Sequence, residues 1–172
     1  MLQLRLKEES ARSLVEAARA IQALAPSVPL VINDRADVAL AVGAAGVHVG
    51  VDDLSPAALR RVVPAGFIIG ASVGDDGEFA RAAGADYVGI GPVFATGSKA
   101  DAGAAIGPAR FAELARRCGV PAVAIGGITS DTVPVVMNSD ASGIAVISAL
   151  FGSSDPTSAA RALRDALDAS GR

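Results

Sequence analysis

The sequence predicts an α/β fold, a (β/α) TIM barrel with seven visible strand–helix units. Short β-branched apolar runs alternate with helix-like segments, which implies a parallel sheet covered on both faces. An open, doubly wound sheet gathers its polar residues at one switch point, whereas a barrel carries them at the ends of many strands. Polar residues follow nearly every run here, and this favours the barrel. The seven runs are 2–6, 29–33, 46–50, 67–72, 86–91, 121–126 and 143–148.

The segments between these runs have the periodicity and the caps of amphipathic helices. Ser10 is a candidate N-cap for a helix that reaches Ala25, and the stretches that begin at Ser55 and Asp155 have a cap residue followed by proline in the first turn. Helical spacing places four apolar residues of the first helix on one face. They are Leu14, Ala18, Ile21 and Leu24.

Composition excludes several classes of protein. With 172 residues, of which 51% are apolar, the chain is predicted to be a single domain over 1–172. A net charge of −3 gives no general attraction to nucleic acid or to an anionic membrane, so neither is predicted as a partner. No apolar run approaches the roughly 20 residues of a membrane span, and the first residues are too charged for a signal peptide. The predicted location is therefore the cytoplasm, and the oligomeric state is left open.

The single cysteine and the single histidine are interpreted as structural residues. One thiol, Cys118, can build neither a disulfide framework nor a zinc site, so we expect a small core residue. His48 lies within a strand and is predicted to face the barrel interior, with a secondary role at the site. No Ser/His/Asp set surrounds it in the sequence.

Two carboxylates at the ends of neighbouring strands predict a magnesium site. Asp34 closes the second run and Asp53 follows the third. Mg²⁺ takes one or two carboxylates and leaves its other positions to water and substrate phosphates. The alternative is that Asp34 caps a helix near Ala36, and that Asp52 and Asp53 cap one near Ser55.

Two further regions predict phosphate binding. Gly126, Gly127 and Ser148 follow the last two runs, where many barrels bind a phosphate through loop amides and a helix N-terminus. A tight turn that needs a positive φ is the alternative for at least one of the glycines. The loop GPVFATGSKAD (91–101) adds hydroxyls and a lysine, so we expect it to close over anionic substrates.

Six stretches in order resemble the motifs of the thiamine-phosphate synthase family and span nearly the whole chain. They are QLRLK (3–7), NDR (33–35), GVHVGVDD (46–53), GPVFATGSK (91–99), GGIT (126–129) and VISAL (146–150). The resemblance implies a Mg²⁺-dependent transferase of thiamine biosynthesis. That reaction condenses hydroxymethylpyrimidine diphosphate with hydroxyethylthiazole phosphate, and its products are thiamine phosphate and pyrophosphate.

The same resemblance implies a role for each matching residue. Asp34 and Asp53 would hold Mg²⁺, and Lys99 and Ser72 would be the catalytic residues. The implied contacts to the pyrimidine diphosphate are Gln3, Arg5, Lys7, Asn33 and Ser72. The implied contacts to the thiazole phosphate are Thr96, Ser98, Lys99, Gly127, Ile147 and Ser148, of which Thr96, Ser98 and Lys99 would also serve the diphosphate.

Three residues depart from the family pattern, and two other functions stay open. Leu6 replaces a usual Glu, Val51 a usual Gln, and Ser98 a usual Thr, so polar positioning is lost at the first two. A thiazole tautomerase would share the barrel and the thiazole phosphate site, but it would have no use for a metal-diphosphate site. An inactive phosphate-binding barrel is the second alternative.

The number of strands predicts that the barrel is N-terminally incomplete. A barrel of this class has eight strands, and its phosphate site follows strands seven and eight. Here the phosphate motifs follow the sixth and seventh runs, so the first strand and helix are expected to be lacking before 2–6. We expect the two outer strands then to have unpaired edges, at a cost in stability and activity.

Overall fold

The computed structural model describes residues 1–97 and 103–171. Within it the chain divides into two compact units. The first consists of Met1–Ser72 and Glu78–Asp86, and the second of Val73–Gly77 and Tyr87–Arg172. The single domain over 1–172 stays a prediction.

All seven predicted strands are present. Most begin or end one residue inside the predicted run, but the first strand stops two residues before the end of 2–6, so Arg5 and Lys7 follow it. The last stops three residues before Ser148. The strands are β1 (Leu2–Leu4), β2 (Leu30–Asn33), β3 (Gly46–Val49), β4 (Ile68–Val73), β5 (Tyr87–Ile90), β6 (Ala122–Ile125) and β7 (Gly143–Ala145).

Strand order follows the chain within each unit. In the first unit β1 pairs with β2, β2 with β3, and β3 with β4, all in parallel. In the second unit β5 pairs with β6 and β6 with β7, also in parallel. Neither set reverses its order, which is the arrangement of a barrel rather than of a doubly wound sheet at its switch point.

Seven helices lie in the described ranges, and the three predicted caps are confirmed. The N–H of Ser13 donates to Ser10 Oγ at 3.1 Å, and Ser55 and Asp155 accept in the same way at the start of their helices. The helices are α1 (Ala11–Leu24), α2 (Ala36–Ala41), α3 (Pro56–Leu59), α4 (Gly107–Cys118), α5 (Val133–Met137), α6 (Ser148–Phe151) and α7 (Pro156–Ala169). In the described part of the chain, none of the helices has the length and apolar character needed to cross a membrane.

The predicted alternation of strand and helix fails between β4 and β5. The chain forms turns there, and one helical hydrogen bond, from the N–H of Ala82 to the carbonyl of Glu78 at 3.2 Å, is not continued into a helix. Three glycines in this stretch, Gly74, Gly77 and Gly84, disfavour helix because glycine loses the most backbone entropy on ordering.

The core of the first unit packs one face of its strands against helices. Leu14 and Ala18 of α1 join Ile32, Val47 and Ile69 in one buried cluster. The predicted apolar face of α1 is confirmed at Leu14 and Ala18 but is wrong at Leu24.

Leu24 is 86% exposed, because it ends the helix about 120° around the axis from Ala18. Cys118 is another correction, since it is half-buried at the end of α4 rather than in the core, and its thiol donates to the carbonyl of Leu114 at 3.1 Å.

One charged group fixes the beginning of β4. The carboxylate of Asp86 accepts from the N–H of Ile69 at 2.7 Å and binds the guanidinium of Arg60. Arg60 also donates to the carbonyl of Phe67 at 2.6 Å and to that of Gly84 at 3.1 Å. Charge-assisted hydrogen bonds are stronger than those between neutral groups. The contacts of Asp86 and Arg60 therefore hold the beginning of β4, the strand that carries Ser72, in position.

Candidate active site

The strand faces turned away from the core carry the polar residues of the first unit. Ile32, Val47 and Ile69 point toward the helices, so alternation places Asn33 and His48 on the opposite face. The register pairs Asn33 with His48 and His48 with Gly70. Ser72 lies two residues beyond Gly70, on that same face. Three predicted or candidate residues therefore share one surface near the carboxyl ends of their strands.

The first strand adds two residues to this face. Leu4 is buried in the core cluster, so Gln3 and Arg5 on either side of it point away from the helices. Gln3 pairs in register with Val31, one alternation before Asn33. Gln3 is exposed and Arg5 is half-buried.

Asp34 has a left-handed backbone conformation directly after β2. Its φ is +63°, which costs a residue with a Cβ atom about 1–2 kcal/mol. Two backbone hydrogen bonds hold it there, from the N–H of Asp34 to the carbonyl of His48 at 2.8 Å and from the N–H of Arg35 to that of Asn33 at 2.7 Å. A strained residue at a strand end is a frequent mark of a functional site.

The aspartates do not have the capping role that was the alternative to metal binding. Arg35 occupies the N-cap position of α2 without any side-chain capping bond, and Ser55 caps α3. Asp53 instead accepts the N–H of Gly50 at 2.7 Å through Oδ2, which closes the turn after β3.

Asp34 and Asp53 lie close enough for a side-chain hydrogen bond, and two cations lie near them. Burial raises the pKa of Asp34 above its ordinary value, and so do the hydrogen bond and the charge of Asp53. The charges of Lys7 and Arg5 act in the opposite direction without cancelling the rise in this pKa. Four of the predicted site residues are thus brought together in the first unit.

This carboxylate pair suits a hard divalent cation. Residues 1–97 and 103–171 contain no group of three or more His, Cys, Asp or Glu side chains placed to hold a metal. Two adjoining carboxylates repel each other when both are ionised. A Mg²⁺ ion would neutralise both and take its remaining ligands from water and phosphate, so the pair fits this cation.

His48 and Ser72 form a direct contact that the sequence did not indicate. Nε2 of His48 lies 3.1 Å from Oγ of Ser72, and both residues are half-buried. Strand alternation placed both on one face, but only the structure shows that the imidazole reaches the hydroxyl.

In the second unit, three neighbouring strand ends carry the predicted phosphate residues. Ile125 pairs in register with Ala145, so Gly127 and Ile147 each follow their strand by two residues at the same edge. Ser148 is the first residue of α6 and is exposed. The segment after β5, which leads to Thr96, hydrogen-bonds to this edge through Val93 and Phe94.

The structure requires glycine at both Gly126 and Gly127. Their φ values are +95° and +63°, so the predicted alternative of a turn with positive φ holds for both. A Cβ on Gly126 would lie 2.5 Å from Cβ of Pro92, and one on Gly127 would lie 2.5 Å from the carbonyl oxygen of Ala95. The pair therefore allows the segment 91–96 to pack against the end of β6.

We expect Gly127→Ala to destabilise the protein more than Gly119→Ala does. The two glycines have nearly the same φ, +63° and +67°, but a Cβ on Gly119 meets nothing within 4 Å. Gly119→Ala then costs only the left-handed backbone, about 1–2 kcal/mol, and Gly127→Ala adds an overpacking cost of about 1–3 kcal/mol. Chemical denaturation of both variants measures the difference, and equal losses would show that segment 91–96 yields without cost.

Two predicted residues, Ser98 and Lys99, lie outside the described residues. Thr96 is half-buried at the end of the described part of the loop, and Ile147 is 41% exposed. The structure thus brings together Arg5, Lys7, Asp34 and Asp53 in one unit and places Thr96, Gly127, Ile147 and Ser148 at the strand ends of the other.

Comparison with known proteins gives the family. The model of the thiamine monophosphate synthase family matches residues 1–150. Thiamine-phosphate synthase from Methanoculleus marisnigri is 49% identical over 98% of this chain and 82% of its own length. That from Azorhizobium caulinodans is 48% identical over 100% of this chain and 83% of its own length.

A solved structure agrees with the fold. Thiamine phosphate pyrophosphorylase from Pyrococcus furiosus has a TM-score of 0.88 and 36% identity, over 98% of this chain and 82% of that one. A 3-hexulose-6-phosphate synthase, at 19% identity and a TM-score of 0.67, supports the fold alone. The predicted (β/α) barrel class is confirmed by these likenesses together with the parallel, chain-ordered strands.

Parallel strands with acidic, basic and glycine-rich ends define an α/β-barrel enzyme that acts on phosphorylated small molecules. The chain belongs to the thiamine monophosphate synthase family. It is a transferase of thiamine biosynthesis, as the sequence resemblance predicted.

Proposed function

We propose that the protein condenses hydroxymethylpyrimidine diphosphate with hydroxyethylthiazole phosphate in a Mg²⁺-dependent reaction. The bond between the pyrimidine methylene carbon and the diphosphate oxygen breaks, and the thiazole nitrogen supplies the electron pair for the new carbon–nitrogen bond. The products are thiamine phosphate and pyrophosphate. The observation that carries this proposal is the grouping of Asp34, Asp53, Arg5 and Lys7 in a chain of this family.

The first unit binds the pyrimidine diphosphate. Arg5 and Lys7 are the cations beside the carboxylate pair, and they neutralise diphosphate oxygens. The remaining members of this set offer amide or hydroxyl groups for hydrogen bonds to the same substrate. They are Gln3, Asn33 and Ser72.

Asp34 and Asp53 would hold the Mg²⁺ ion. When bound, the ion supplies positive charge that stabilises the departing diphosphate. The left-handed backbone of Asp34 sets the direction in which its side chain leaves the chain, and the hydrogen bond from Gly50 orients the carboxylate of Asp53 before any substrate binds. Such preorganisation lowers the cost of ordering the site during the reaction.

The second unit binds the thiazole phosphate. The amides of Gly127 and Ile147 and the hydroxyl of Ser148 donate to its oxygens, and Thr96, Ser98 and Lys99 serve both this phosphate and the diphosphate. No general base is needed, because the thiazole nitrogen attacks with its own lone pair. Catalysis consists of positioning and of charge stabilisation on the leaving group.

Separate binding measurements test the assignment of the two units. We expect Asp34→Asn to abolish Mg²⁺-dependent binding of inorganic pyrophosphate and to leave the affinity for thiazole phosphate unchanged. Ser148→Ala should weaken thiazole phosphate about tenfold, the value of one hydrogen bond to a charged group, and leave pyrophosphate unchanged. Isothermal titration calorimetry measures both affinities.

The alternatives are distinguished by these titrations together with an assay for product. A tautomerase would bind thiazole phosphate but would show no metal-dependent affinity for pyrophosphate. An inactive phosphate-binding barrel would bind one or both anions and would release no product. The predicted cytoplasmic location stays a prediction.

A further inference from the structure

The contact between His48 and Ser72 has a geometry that fits a positioning role. His48 lies on β3 opposite Gly70 of β4, and Ser72 is the next residue of β4 on that face. Gly70 has no side chain, so the imidazole can extend along β4 toward its carboxyl end. Its Nε2 reaches the Ser72 hydroxyl at 3.1 Å.

The direction of this hydrogen bond matters for what Ser72 can do. A serine hydroxyl has one proton and two lone pairs, and a neutral imidazole has one N–H group. Diphosphate oxygens are acceptors only. If Ser72 gave its proton to His48, it would face the diphosphate with lone pairs and would repel it.

We propose that His48 is a positioning residue that acts through Ser72: Nε2–H of His48 donates to Oγ of Ser72 and directs the serine proton toward a diphosphate oxygen of the substrate. This inference rests on the proposed function, which places Ser72 at the pyrimidine diphosphate. His48 itself does not touch the substrate in this arrangement. Its effect is to remove the rotational freedom of the hydroxyl before the substrate binds.

A pair of size-matched substitutions separates this role from simple packing. The amide nitrogen of glutamine is positioned like Nε2 of histidine, whereas that of asparagine is positioned like Nδ1. His48→Gln should therefore keep a donor for Ser72, and His48→Asn should lose it. We expect kcat of His48→Asn to be lower than that of His48→Gln by about tenfold.

A double-mutant cycle tests whether His48 acts through Ser72. We expect Ser72→Ala alone and Ser72→Ala combined with His48→Asn to have the same kcat, since the histidine has no hydroxyl left to direct. The KM for thiazole phosphate should stay unchanged throughout. Thermal unfolding of each variant checks that the comparisons are made on folded protein.

The possible outcomes are distinct. Additive losses in the cycle, or equal kcat values for His48→Gln and His48→Asn, would overturn the positioning role. Failure of the unsubstituted protein to form thiamine phosphate would instead overturn the proposed function on which this inference rests.

Discussion

We expect Asp34→Asn to lower the rate of thiamine phosphate formation by about 100-fold or more, with the protein still folded. The change removes one of the two carboxylates of the proposed metal site but leaves a side chain of the same size. Asparagine also tolerates the left-handed backbone at this position, where φ is +63°, better than alanine does. The loss therefore reports on charge and not on the backbone.

Asp52→Asn is the matched control for this prediction. Asp52 is exposed and is the direct neighbour of Asp53 in the sequence, but it has no part in the proposed metal site. We expect it to retain nearly full activity. In the absence of Mg²⁺, Asp34→Asn should unfold at the same or a higher temperature than the unsubstituted protein, because it relieves the repulsion between Asp34 and Asp53. Activity of Asp34→Asn close to that of the unsubstituted protein would remove this residue from the metal site.

Lys99→Ala is expected to lower kcat by about two orders of magnitude, while thiazole phosphate binds with little change. In the proposed reaction, the ammonium group would stabilise negative charge that develops on the departing diphosphate in the transition state and is absent from the ground state. Steady-state kinetics and a separate titration of thiazole phosphate measure the two effects.

Lys99→Arg keeps the positive charge and is the control for Lys99→Ala. Its kcat should lie between those of the alanine variant and the unsubstituted protein, because the guanidinium differs from the ammonium in shape and hydration. Equal losses of kcat and of thiazole phosphate affinity in Lys99→Ala would assign this lysine to substrate binding alone.

The strands and caps could be predicted from the sequence because they depend on local signals. β-branched runs, and a Ser or Asp directly before a helix, need no knowledge of distant residues. Leu24 was misplaced because it lies about 120° around the helix axis from Ala18, outside the buried face. The helix expected between β4 and β5 is missing because the glycines of that stretch disfavour helix.

The candidate site was predictable as a set of residues, but its geometry was not. The resemblance supplied Asp34 and Asp53, and the structure places them within hydrogen-bonding range. The left-handed backbone of Asp34 and the contact of Gly127 with the segment before Thr96 depend on long-range packing, which no local pattern encodes. The reach of His48 to Ser72 depends in the same way on the register between β3 and β4.

The central claim is tested most directly by incubating the protein with hydroxymethylpyrimidine diphosphate, hydroxyethylthiazole phosphate and Mg²⁺, and following the reaction by phosphorus NMR. We predict that thiamine phosphate and pyrophosphate appear in equal amounts, and that neither forms when a chelator replaces Mg²⁺ or when either substrate is omitted. Formation of both products at an undiminished rate in the chelator would contradict the metal site. Absence of both products with Mg²⁺ present would contradict the function itself.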